Sequence, residues 1–358
     1  AQTLTPAAAS ATISGQIITS DGAGVGGVTI VLTGGQPRFT VTDSQGRYVF
    51  ENVPTGPVYS VTPTLVNYTF GPLSRSFSLI ADQTNAVFTA AANGAPTLNP
   101  LDTPSFFVRQ HYLDFLGREP DASGLAFWTN EITSCGTTQS CVEVKRINTS
   151  GAFFLSIEFQ ESGYLVYRMY KSAYGNLPGT PVPLRLNEFT PDTEQIRQGV
   201  VVGVGDWTTQ LETNKNAFAL DFVNRSRFLT AYPTTLTPAE FVDRLFGNTR
   251  VTPSPTERSA IITEFGTAAS SADPAARGRV LRRVAENSTF AQQEFNRAFV
   301  LTQYFGYLRR DPDAAPDNDF SGYNFWLDKL NQFNGNFVNA EMVKAFLVST
   351  EYRRRFGP

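Results

Sequence analysis

A single histidine, His111, limits the nucleophilic chemistry this chain could perform. A Ser-His-Asp or Cys-His arrangement would have to use it. It stands between Val108 and Phe115 on an apolar stripe, so it reads first as a packed side chain. Cys135 and Cys141 lie in Ser-Cys-Gly-Thr-Thr-Gln-Ser-Cys, whose small and polar residues let the loop turn back on itself. In an oxidising compartment that spacing predicts a local disulfide. Two cysteines with the histidine on another segment do not make a zinc site. Asp311, Asp313, Asp317 and Asp319, with Asn318 among them, offer hard oxygen ligands for calcium. The spacing departs from the EF-hand loop, and the alternative is a solvated loop that caps a helix. The run from Gly199 to Asp206 is glycine-rich but lacks the lysine of a phosphate-binding loop. A carboxylate-pair glycosidase would leave no local spacing signature. Short helical repeats offer no deep cleft for one, so no enzyme is expected, and calcium is the only candidate cofactor.

The elements that carry these residues fall into two periodicities. Residues 12–90 alternate apolar and polar with period two, in about seven short runs separated by Gly and Asp turns. That pattern predicts an all-β sandwich. Within it, Gly15-x-Ile17, Asp21-Gly22, Gly27-Val28, Thr42-Asp43-x-x-Gly46-x-Tyr48-x-Phe50 and Val53-Pro54-x-Gly56-x-x-Tyr59-x-Val61 resemble the carboxypeptidase regulatory-like domain. The resemblance implies a transthyretin-like sandwich, an extracellular setting and no catalysis. Residues 91–104 carry three prolines and a glycine and are expected to form a linker.

From residue 105 to 358 the period becomes 3.6, predicting an all-α domain of duplicated units. Phe107-Val108-x3-Tyr112-x3-Leu116-x-Arg118-Glu119-Pro120-Asp121-Ala122 recurs as Phe299-Val300-x3-Tyr304-x3-Leu308-x-Arg310-Asp311-Pro312-Asp313-Ala314. Ser123-Gly124-x2-Phe127-Trp128 recurs as Ser321-Gly322-x2-Phe325-Trp326 after six extra residues, and Phe153-x2-Ser156-x-Glu158-Phe159 as Phe346-x2-Ser349-x-Glu351-Tyr352. Units are therefore expected near 107–175 and 299–357, with a degenerate copy over 241–292. The motif resembles a secreted bacterial domain family of unknown function, distantly similar to phycobilisome linker domains. The last copy departs from it, with Arg309 in place of Gly117 and an insertion over 315–320. Arg118 and Arg310 are expected to pair with the motif carboxylates. Asp121, Ser123, Asp313 and Ser321 are expected to cap the second helix, and both Phe-Trp pairs to pack it onto the first.

No apolar run approaches a membrane span, and the scattered basic residues at net charge −3 give no nucleic-acid footprint. The Ala1-Gln2-Thr3 start looks like signal-peptide cleavage. A secreted, non-enzymatic structural or adhesive surface protein is therefore expected, whose partner is itself in a filament or layer. Residues 1–11 are read as an extended assembly arm, with Leu4, Pro6 and Ala8 weakly apolar and uncharged. The alternative is an extracellular glycan- or matrix-binding module, which the tyrosines at 164, 167, 170 and 174 could serve. Their helical spacing reads more simply as core. Asn67, Asn148, Asn224 and Asn287 form sequons at the frequency such a composition allows.

Overall fold

The computed structural model describes residues 10–35, 38–65, 67–93 and 99–357. The assembly arm, with Leu4, Pro6 and Ala8, lies outside the described residues. Eight strands come first: β1 Ser10–Thr19, β2 Thr29–Gly34, β3 Arg38–Val41, β4 Arg47–Pro54, β5 Val58–Thr64, β6 Tyr68–Gly71, β7 Arg75–Ser78 and β8 Phe88–Ala92. They form two four-stranded sheets, in the orders β4-β1-β8-β6 and β3-β2-β5-β7. β1 runs antiparallel to β4, with Ile13 opposite Phe50, and parallel to β8, with Ile17 opposite Phe88. Alternation places one face of each strand inward. The inward set, including Ile13, Ile17, Ile30, Leu32, Phe50, Tyr59, Val61 and Phe88, is fully buried. A β-sandwich followed by a helical region is therefore the architecture.

The chain divides into two compact units. The first comprises Ala1–Phe154, Gln303–Asp311 and Asn336–Pro358; the second comprises Leu155–Thr302 and Pro312–Gly335. In the first unit, α1 (Pro104–His111) continues into a π-helical turn, Tyr112–Leu116, which ends on Gly117 in the left-handed region at φ 64°. Asp121 caps α2 (Ala122–Thr133) by accepting the Gly124 N–H at 2.8 Å, and α3 (Gln139–Leu155) follows the disulfide loop. Tyr304–Leu308 repeats the π-turn and ends on Arg309 at φ 54°. The two π-turns pack together: the Phe115 and Tyr307 rings meet edge to face with centroids 5.0 Å apart. A Cβ on Gly306 would lie 1.8 Å from Phe115 Cε1, so only glycine admits that ring.

The sandwich and these helices share one framework. Arg309 Nη2 donates to the Val41 carbonyl of edge strand β3 at 2.9 Å, and the Arg309 carbonyl accepts the Ser44 N–H at 3.0 Å. Arg355 bridges Asp114 through both terminal nitrogens, at 2.7 and 3.1 Å, and donates to the Tyr307 carbonyl at 2.8 Å. Of the expected linker, residues 94–98 lie outside the described set. Its end is held: Asn99 Nδ2 donates to the carbonyls of Arg353 and Gly357 at 3.0 and 3.1 Å.

The second unit is helical throughout its described residues, with Leu165–Tyr174 flanked by Trp207–Asn224, Pro238–Thr249 and Pro274–Ala285. Its core includes Tyr167, Met169, Phe218, Phe222, Phe241, Leu245, Val280 and Leu281. The helix Pro238–Thr249 covers the start of the stretch 241–292 in which a degenerate copy is expected. It stays α-helical to its end, carries a Thr237/Glu240 capping box, and stops on Arg250 at φ 58°.

Candidate functional site

The exposed feature with the most evident chemical capacity is the open edge of the second sheet. Among the described residues β7 is bonded to β5 on one side only. Leu79 donates its N–H to the Pro57 carbonyl at 3.2 Å, on the β5 side. Antiparallel strands alternate their backbone groups, so Ser76 and Ser78 point N–H and C=O to the open side. Three apolar side chains border this edge in water: Leu73 is 77% exposed, Ile80 85% and Val58, on β5, 59%. The one cation on β7 is drawn back, because Arg75 Nε donates to the Val87 carbonyl at 2.8 Å. An edge normally relies on such a charge for protection from strand pairing. The arrangement can accept an extended strand by backbone hydrogen bonding. The opposite edge, β3, differs, since Arg309 takes up a carbonyl there.

Residues 12–93 match the family model of the carboxypeptidase regulatory-like domain. The match spans the sandwich and stops before the helices. No curated protein matches the chain, and no solved structure does. The regulatory-like domain thus supplies the sheet edge, and the helical region is interpreted from its own geometry.

His111 is fully buried in the first unit. Its Nδ1 lies 2.8 Å from the Phe107 carbonyl, which only accepts, so Nδ1 carries the proton. Nε2 then accepts from the Ser150 hydroxyl at 2.9 Å, and Ser150 Oγ is bonded in turn to the Tyr307 hydroxyl. Burial pushes the imidazole down to about 3, against the hydrogen bond to Phe107. A Ser-His pair is present, but the rings of Phe107, Phe115, Phe153 and Tyr307 surround the imidazole. Ser150 is itself fully buried, so no substrate carbonyl reaches this pair. Nearby, Asp114 accepts from Gln110 at 2.9 Å as well as from Arg355, which satisfies a buried carboxylate.

The sequence-selected residues fare differently from one another. Cys135 and Cys141 are bonded, with Cα atoms 5.5 Å apart. The acidic loop commits two of its carboxylates to partners within the chain. Asp313 is taken by the Arg185 guanidinium, and Asp319 accepts the Ser321 N–H at 2.8 Å. Among the described residues no group of three or more acidic, histidine or cysteine side chains is set to hold a metal, and Asp311 and Asp317 complete none. Asp121 caps as expected, but Asp313 does not, because the inserted residues 315–320 leave Asp319 nearest the helix start. Arg118 reaches Asp121 at 3.9 Å, whereas Arg310 pairs with Glu351 through two contacts of 2.6 and 3.1 Å.

The Phe-Trp expectation also needs correction. Phe127 is 56% exposed and Phe325 57%, so neither phenylalanine packs its helix inward. In the second unit Tyr164, Tyr167 and Tyr170 are buried and Tyr174 half-buried, which removes them as a sugar-stacking surface. The sequence alone does not show which strand of the sandwich forms its open edge. The exposed Leu73 and Ile80 flanking a four-residue polar strand were its available signal. No helix among the described residues is long and apolar enough to cross a membrane.

Proposed function

We propose that this chain is a secreted, non-enzymatic structural surface protein that associates with copies of itself by adding a strand to β7. The observation that carries the reading is the single-sided β7 edge with Leu73, Val58 and Ile80 beside it in water. The occupant is the segment Leu4–Ala9 of a second copy, which is uncharged and carries Pro6, a residue suited to an extended strand partner. Donor and acceptor surfaces differ, so the contact is head-to-tail and propagates unless rotation closes it. The resemblance of the helical repeats to a secreted bacterial family and to linker domains fits a role in assembly.

The test compares the full chain with Ser78→Pro and with a deletion of residues 1–9, by light scattering and negative-stain microscopy. Proline at 78 removes an outward N–H while keeping the inward bonds of β7. Polymers or oligomers from the parent, lost in both variants with circular dichroism unchanged, are the expected result. A parent that stays monodisperse at high concentration, or variants that assemble as before, would sink the reading.

A further inference from the structure

In the second unit, a cavity of about 340 Å3 is lined by three cations, Lys171, Arg250 and Arg297, and by one carboxylate, Glu294. Glu294 is already engaged. Tyr167 donates its hydroxyl to Oε2 at 2.9 Å, and Arg297 Nη1 stands 3.7 Å from Oε1. Lys171 is only 8% exposed, yet among the described residues it forms no ion pair, and its ammonium is bonded to the Asn176 side-chain oxygen. Burial lowers the Lys171 pKa from its ordinary value, and Arg297 and Arg250 lower it further against the opposing pull of Glu294. A nearly buried ammonium that faces two guanidiniums and one occupied carboxylate is short of negative charge.

Arg250 adds an independent observation. It holds a left-handed conformation, φ 58°, at the C-terminus of Pro238–Thr249, where glycine ordinarily relieves the cost. Among the described residues no hydrogen bond or ion pair stabilises its guanidinium. The position therefore carries backbone strain that no partner within the chain offsets, and such strain concentrates where a side chain serves a ligand. The guanidinium fork and the ammonium are the donors that match an oxyanion.

We infer that this cavity is a binding site for an oxyanion carried on a small polar molecule, held by Lys171, Arg250 and Arg297. Arg250, exposed and otherwise unpartnered, closes on the ligand at the mouth. Lys171 meets it at the base, with Asn176 beside it. Carboxylate and sulfate or phosphate groups share this chemistry, and the cavity is large enough for a monosaccharide-sized carrier. This site lies in the second unit and does not depend on the β7 edge.

Isothermal titration calorimetry of the full chain at low ionic strength tests it, with sodium sulfate, sodium phosphate and sodium glucuronate as separate titrants. Saturable one-site binding of at least one is expected. Glucuronate alone identifies a carboxylate ligand; sulfate or phosphate alone identifies a tetrahedral one. Arg250→Gln and Lys171→Gln should each weaken binding about tenfold or more, the worth of one hydrogen bond to a charged group. Lys171 is in the core, so Arg250→Gly is the safer variant: it should weaken binding while raising Tm, as the left-handed strain is released. If no titrant binds, or if binding is unchanged in Arg250→Gly and Arg297→Gln, the site is overturned.

Discussion

His111 sets the sharpest pH dependence at the residue scale. Its folded value of about 3 lies below the ordinary 6.5, so between those limits the unfolded chain takes up a proton that the folded chain refuses. Its stabilising contribution is complete above 6.5 and is lost as pH falls toward 3, at about 1.4 kcal/mol per pH unit. In urea titrations from pH 6.5 to 4, parent and His111→Gln should differ in slope by about that amount. Equal slopes would show that the imidazole is not held neutral. Its packed role was legible in the sequence from its place between Val108 and Phe115. Its partners were not, since Ser150 and Tyr307 are distant in the chain and reach the ring only through the packing of α3 and the second π-turn against α1.

Among the elements, the repeat was legible and its local geometry was not. A π-turn is one inserted residue, and the apolar stripe runs through it without a break. Tyr112–Leu116 and Tyr304–Leu308 therefore look α-helical in the sequence. Strand β6, Tyr68–Gly71, was missed because it is four residues long and buries only Phe70. The serines at 156 and 349 keep one role in both copies, each accepting a backbone N–H at 3.1 Å three residues on. Gly306→Ala should cost about 1–3 kcal/mol, because the added methyl meets the Phe115 ring. Phe115→Leu should recover part of that loss in a double-mutant cycle, and strict additivity would place the ring elsewhere. Replacing Cys135 and Cys141 with serine should cost roughly 2 kcal/mol, the low end for so short a closed loop. Unfolding midpoints measured with and without reductant check it.

For the whole molecule, the departure at Arg309 is the informative one. The sequence shows it as an imperfect repeat, an arginine where the first copy has Gly117. In the fold it helps fasten the helices to the regulatory-like domain through the Val41 carbonyl. Arg309→Gly should relieve the left-handed cap and still lower Tm, because that tie is lost. Calorimetry should then resolve the sandwich transition from the helical one. A higher Tm with a single transition would show that the cap outweighs the tie.

The first unit is assembled from pieces far apart in the chain: Asp114 waits for Arg355, 241 positions later. A ribosome delivers Asp114 long before its partner. Until then the helices around His111 have a carboxylate bound for the core with no cation beside it, and they lack the Tyr307 ring until the second π-turn is made. Those helices cannot mature while synthesis is under way, and contacts of such long range also form slowly once it ends. Such a polypeptide keeps its first unit unfinished until Arg355 has been made. In the secreted setting proposed above, that delay would let a translocation channel pass the first unit as a thread, and it would leave exposed apolar surface for a chaperone to shield in the meantime.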